Sequence, residues 1–180
     1  DLAPASLSPL LTVATIVSLT AIVGGFGEKA LAGYGIGSRI EFLMIPLIFG
    51  LGAAMTSLVG MAIGAGDQAR AEKIGWIGSA AAAALAGVVG IVLALSANAW
   101  IPAFTKDPEI HAAALAYMRI VAPCFLFMGL GFSLYFASQG AGAMLWPVTA
   151  TALRIVVAVG GALLLTRGMG LGIEGVFYAA

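Results

Sequence analysis

The sequence predicts an all-α polytopic membrane bundle, with five full transmembrane helices and the start of a sixth. Three observations carry that expectation. Apolar residues make up 62% of the chain and charged residues 9%, where an ordinary soluble domain has about a quarter charged. Mean hydropathy is +1.10, which means more apolar surface than a soluble fold of this size can hide from water. Asp, Glu, Lys and Arg are absent over residues 3–27, 42–66, 74–105 and 120–153, and a helix needs about 20 apolar residues to cross a bilayer core.

The first segment, residues 4–24, has Pro4 and Pro9 near its start and ends at Gly24, Gly25 and Gly27, which suit a helix stop and a tight turn. The second, 32–64, carries Arg39 and Glu41 in its first third. It is longer than the hydrocarbon core requires, so tilt or protrusion is expected. Pro46 inside it has no N–H for the Phe42 carbonyl, which predicts a kink. Gly64-Ala65-Gly66 stops this helix, and Asp67 is placed to cap the third segment, 70–101. Arg70, Glu72 and Lys73 form its polar entry, and Trp76 and Trp100 fall near its ends, as interfacial anchors do.

The fourth segment, 108–138, has a helix-start pattern: Asp107 to cap, Pro108 at the first helical position, Glu109 to complement the dipole. Arg119 and Pro123 lie within it, and Gly140-Ala141-Gly142 ends it. The fifth, 146–166, carries Arg154 in its first half. The sixth has only residues 171–180, a reach of about 15 Å, or roughly half a hydrocarbon core. It is too short to span, and the first residue is Asp1 rather than Met. A longer parent protein is therefore expected, with 1–180 forming a single truncated transmembrane lobe. The loop charges do not set orientation: Lys29, Lys106 and Arg167 on one side stand against Arg70 and Lys73 on the other.

Several functions find no support in these residues. Net charge is zero, which gives no attraction to nucleic acid. One cysteine, Cys124, and one histidine, His111, make neither a disulfide framework nor a metal cluster. Cys124 reads as a small buried apolar residue. No paired carboxylates, Ser/His/Asp set or phosphate-binding loop is visible, so no catalytic residue is assigned and an enzyme is not expected. The 25 glycines read as helix-packing residues, since small side chains let backbones approach closely in lipid.

Glu41 stands apart. A carboxylate beyond a helix start needs a partner, a proton or a water-filled cavity. By helical spacing Gly37, Ile48 and Gly52 lie near its face, with Pro46 in the next turn. Glu41 is the candidate cation- or proton-coupling group; the alternatives are a structural ion pair with Arg39 or Arg119, or a carboxylate near enough to the interface to be hydrated. Arg119 and Arg154 each lie close enough to a predicted helix end to snorkel. Tyr135, Ser138 and Gln139, with Ser133, are candidates to line a cavity for an amphipathic substrate; interhelical hydrogen bonds would use the same residues.

The run Gly33-Tyr-Gly-Ile-Gly-Ser-Arg-Ile-Glu41, then Ile45-Pro46, Gly50-Leu-Gly52, Val59-Gly60 and Gly64-Ala-Gly-Asp67, resembles the second helix of a lobe in transporters of the MATE (multidrug and toxic compound extrusion) family. Leu134-Tyr-Phe-Ala-Ser-Gln-Gly-Ala-Gly142 followed by Leu145-Trp-Pro147 resembles later helices of the C-terminal lobe in bacterial members. The likeness covers nearly the whole chain. It implies twelve helices in two six-helix lobes around a cavity that opens alternately to either side. It also implies exchange of Na⁺ or H⁺ for cationic or amphipathic drugs, with no other cofactor, in the bacterial inner (plasma) membrane. On that likeness segments one to six match helices seven to twelve, the 64–73 connection is cytoplasmic, and the 105–109 loop is extracytoplasmic. The expected partners are membrane lipid, the N-terminal lobe of the same protein, and the substrate.

The chain departs from one pattern of the family. Some members carry cation-binding carboxylates on the first and fourth helices of the C-terminal lobe. Here the first segment has no acid between Pro4 and Gly27, and the fourth has none after Glu109. Glu41 is then either a local substitute, or coupling belongs to an acid of the N-terminal lobe. The alternatives to an antiporter are a related flippase of lipid-linked saccharides, which calls for a more cationic cavity, and a non-transporting membrane scaffold.

Overall fold

The structure is a computed structural model that describes residues 2–143, 145–168 and 172–179. Among these every regular element is helical. The expected bounds Leu171 and Ala180 of the last segment lie outside the described residues, as do the side chains of Pro4, Pro9, Trp146 and Arg167.

Helix α1 covers Leu2–Gly24 and α2 covers Glu28–Gly64. Between them the chain turns at Gly27, whose φ of 108° lies in the left-handed region that a side chain would disfavour. Helix α2 is 37 residues long and runs unbroken through Pro46. It starts ahead of the apolar run because Glu28 and Lys29 extend it into the polar boundary, with Glu28 in the first turn, where the dipole favours an acid. Helix α3, Gln68–Leu95, begins at Asp67, whose side chain accepts from the Arg70 N–H at 2.9 Å. A short helix α4, Ala97–Trp100, and a 3-10 turn at Ile101–Ala103 finish that crossing. Trp100 is half-buried there and donates its indole N–H to the Leu93 carbonyl at 3.2 Å.

The fourth predicted segment is two helices. Helix α5, Pro108–Val121, is capped by Asp107, which accepts from the Glu109 N–H at 2.9 Å. Helix α6, Phe125–Gly140, follows a 3-10 turn at Ala122–Cys124. Pro123 causes the break, since it offers no N–H to the Arg119 carbonyl four residues back. The tighter turn also changes the helical phase. Ala122 points into the bundle, whereas Cys124 is exposed, not buried as its apolar setting suggests. Helix α7 covers Leu145–Leu163, passes into a π-helical turn at Leu164–Gly168, and is followed by α8, Gly172–Ala179.

Among the described residues four stretches are long and apolar enough to cross a membrane: Glu28–Gly64, Gln68–Leu95, Pro108–Gly140 and Thr149–Thr166, with a shorter apolar helix at Thr12–Gly24. Helix α2 is the central strut. It packs on α3, α5 and α6, while α3 lies along α6 and α1 along α7. Its buried residues, Gly33, Gly37, Met44, Ile48, Gly52, Met55, Val59 and Ala62, lie three or four positions apart, save the seven from Gly37 to Met44 that half-buried Glu41 divides, and form one stripe. The opposite face exposes Phe42, Leu43, Leu47 and Met61, as a lipid-facing surface does.

Glycine sets how closely the helices approach along that stripe. A Cβ on Gly33 would lie 2.9 Å from backbone atoms of Ile110 and Ala114, and one on Gly52 would fall inside the Phe136 ring. In lipid there is no hydrophobic force between helices, so this close van der Waals contact and interhelical hydrogen bonds hold the bundle. One such bond is made by Thr56, whose hydroxyl donates to Gly52 in its own helix and to Phe136 across the α2–α6 interface, at 3.1 and 3.0 Å.

Candidate functional site

Glu41 lies on the packing stripe of α2, one turn past Gly37 and one turn before Met44. It is half-buried, roughly 20 Å along the helix from Glu28. Its carboxylate accepts a hydrogen bond from the hydroxyl of Tyr117 on α5. Gly37 makes room for that partner, because a Cβ there would overlap the Tyr117 ring.

Tyr117 is 1% exposed and belongs to a three-ring cluster. It meets Tyr34 of α2 edge-on at 5.4 Å and Phe177 of α8 edge-on at 5.2 Å. Tyr34 and Phe177 stack at 6.5 Å. Tyr34 also shares a side-chain hydrogen bond with Thr20 of α1. Four helices thus converge around one carboxylate, and edge-to-face rings fix the phenol that holds it.

The arginines lie elsewhere. Arg39 and Arg119 are both exposed, and among the described residues neither forms an ion pair with Glu41. Arg39 precedes Glu41 by two residues and so projects from the far side of α2. Arg119 is offset in the same way from Tyr117 and borders a shallow hollow with Ile91, Leu95 and Pro123. Arg154 is exposed on α7.

Tyr135, Ser138 and Gln139 share a face of α6, each half-buried. Ser138 donates to the Leu134 carbonyl of its own helix at 2.9 Å. Their helix end packs near Gly52, Thr56 and Val59 of α2, roughly 16 Å or more beyond Glu41 along that helix. Glu41 and this α6 set therefore border different halves of α2. Ser133 is fully buried, and neither its hydroxyl nor that of Ser79 has a partner among the described residues. No group of three His, Cys, Asp or Glu side chains is placed to hold a metal ion, again among the described residues.

Tyr34, Tyr117 and Phe177 were not singled out in the sequence. The available signal was Tyr117 as the one phenol in the first half of the fourth segment, with Gly37 on the Glu41 face as the matching gap.

At the end that holds the α1–α2 turn, Lys29 bridges to Asp107 at 3.3 Å and Glu109 at 3.2 Å. This ties the start of α2 to the start of α5 on one side of the bundle. The Glu109 backbone N–H, and after it the Lys29 ammonium, hold the Asp107 carboxyl below its ordinary value.

Known proteins share this arrangement of helices. Residues 4–164 match the MatE family. The chain is 30% identical over 135 residues to "Probable multidrug resistance protein NorM" of Thermotoga maritima, an alignment that covers 73% of this chain and 28% of that one. It is 25% identical over 176 residues to "Probable multidrug resistance protein YpnP" of Bacillus subtilis, covering 94% and 40%. The chain thus spans well under half the length of these curated relatives. Among solved structures, "MATE transporter ClbM in complex with Rb+" superposes with a TM-score of 0.91 at 23% identity, over 97% of this chain and 41% of that one. An outward-facing multidrug resistance MATE family transporter gives 0.88 at 19% identity, over 98% and 39%. With the match running through nearly all of its helices, the chain belongs to the MatE family.

Proposed function

We propose that residues 1–180 form one lobe of a cation-coupled multidrug antiporter, and that Glu41 takes part in the coupling. The second lobe of the same protein supplies the other wall of a central cavity. Cationic or amphipathic compounds cross by alternating access in exchange for Na⁺ or H⁺, in a bacterial inner (plasma) membrane. The relatives' names as multidrug resistance proteins support the substrate class, and the share of their length matched here supports the division into lobes. The chain is read as a transporter, not an enzyme.

The observation that carries Glu41 is its hydrogen bond with Tyr117 across the α2–α5 interface, at a position with no arginine partner among the described residues. A carboxylate within a spanning helix is costly, and a single hydroxyl replaces only part of its hydration. Uptake of a proton or a cation changes the charge at the point where α2 meets α5. A ligand biases a two-state equilibrium by as much as it favours one state, so this contact is suited to couple occupancy to access. Tyr135, Ser138 and Gln139, on α6 beside the other half of α2, are assigned to substrate contact.

The test is transport by the full-length parent protein reconstituted in vesicles. A fluorescent cationic dye should move against an imposed Na⁺ or H⁺ gradient, and flux indifferent to both gradients overturns the antiporter reading. Glu41→Gln should weaken the dependence on the gradient while the protein remains folded. Unchanged coupling would make Glu41 structural.

A further inference from the structure

We propose that the groove between α2 and α3, at the end where Gly64 and Gln68 meet, binds an anionic phospholipid. Its headgroup phosphate sits on Arg70 and Lys73, and one acyl chain follows the apolar wall below. This inference needs only that the bundle spans a membrane, and it is independent of the coupling role given to Glu41.

The groove has a volume of about 440 Å³, within the roughly 300–1,000 Å³ of ordinary ligand sites. The apolar stems of Arg70 and Lys73 line its mouth, and its wall is Ile74 and Ile77 of α3 with Leu58 and Met55 of α2. Residues 70, 73, 74 and 77 fall at the spacing of one helix face, so two cations and two apolar side chains line up along α3. The face therefore changes from charged to apolar within about one turn, or roughly 5 Å. A phospholipid makes the same change between phosphate and acyl chain. Gly78 forms the floor, because the Met55 sulfur lies 2.7 Å from where its Cβ would be.

The charges at the mouth are available. Among the described residues neither Arg70 nor Lys73 forms an ion pair. The nearby acids do not compensate them: the Asp67 carboxylate accepts from the Arg70 backbone N–H as the helix cap. Glu72 lies two positions from Arg70, on the far side of α3. Ile77 is 60% exposed and Leu58 43%, so the wall opens outward to the lipid side. Trp76, 59% exposed one turn below Glu72, suits the headgroup boundary. Two free cations over an apolar groove match an anionic lipid. A covering protein surface would have to bring its own paired acids, and a zwitterionic lipid would set its choline against Arg70 and Lys73.

The experiment uses the full-length parent protein with its native cysteines, Cys124 included, replaced by alanine and Ile77→Cys carrying a bimane fluorophore, in phosphatidylcholine vesicles. Phosphatidylglycerol or phosphatidylcholine with brominated acyl chains is titrated in, and bromine quenches the fluorophore on contact. Brominated phosphatidylglycerol should half-quench at a mole fraction about thirtyfold below that of brominated phosphatidylcholine, given ~1 kcal/mol for each of the two basic residues near an anionic lipid. Arg70→Gln with Lys73→Gln should bring the two titrations together, with an unchanged melting temperature showing that the protein is folded. Equal potency of the two lipids in the parent overturns the proposal, as does a preference that survives the double substitution. Quenching by neither lipid overturns it too, since protein then covers the groove.

Discussion

The hydroxyl of Tyr117 on α5 donates to the carboxylate of Glu41 on α2, at the one position of the α2 packing stripe occupied by an acid. Gly37, one turn earlier, provides the space for the phenol ring. Carboxylate, donor and gap form one unit, and each predicts a different failure when altered.

Tyr117→Phe removes the donor and keeps the ring in its cluster with Tyr34 and Phe177. A half-buried acceptor left without its partner costs less than the roughly 1–3 kcal/mol of a fully buried one. The melting temperature of the full-length protein in detergent should fall accordingly. Dye transport should persist with an altered pH dependence, whereas a purely structural bond would lower stability and leave the pH profile in place.

Gly37→Val and Gly50→Ala separate packing from helix propensity. A side chain at Gly37 meets the Tyr117 ring, while a Cβ at Gly50 has nothing within 4 Å. The first should destabilise by about 1–3 kcal/mol through overpacking. The second should be neutral or slightly stabilising, because alanine is the better helix former. Equal effects in thermal denaturation would show that the α2–α5 approach is looser than described.

Thr56→Val tests the α2–α6 bond. Its hydroxyl reaches the Phe136 carbonyl of the other helix, whereas the Ser138 hydroxyl donates within α6, to the Leu134 carbonyl. Interhelical hydrogen bonds in membranes average about 0.6 kcal/mol, with a maximum of about 1.7. Thr56→Val should cost an amount in that range, and Ser138→Ala should cost less in the same unfolding assay.

The clasp of Lys29 with Asp107 and Glu109 should weaken in acid. The Asp107 carboxyl is held below its ordinary value of 3.8, mainly by the Glu109 N–H and then by Lys29. Its contribution is therefore fully present above that value and is lost as pH falls through the lower, folded-state value. Stability measured from neutral pH down through this window should decline less in Asp107→Asn, which keeps the helix cap and removes the charge.

Much of this was legible in the sequence. Uncharged runs marked the spanning helices, and Asp67 and Asp107 announced two helix starts that the structure shows capped by those side chains. The MatE resemblance was carried by glycines and Glu41 on the second segment, the helix that proves central to the packing. Other features were not legible. Pro123 sits in an apolar run as long as its neighbours, and only the 3-10 turn around it shows that the segment is two helices and that Cys124 faces outward.

The sequence by itself determined that this chain is a helical membrane bundle of the MatE family, because transfer of apolar residues into lipid and the spacing of caps and glycines are local properties of the chain. Only the tertiary structure decided what surrounds Glu41. Its neighbour is Tyr117, 76 positions away, rather than Arg39 on its own helix or Arg119 on the same helix as Tyr117. The reason is geometric: residues two apart on a helix point to opposite sides. Which faces of α2 and α5 meet is set by where Gly33 and Gly37 let their backbones approach.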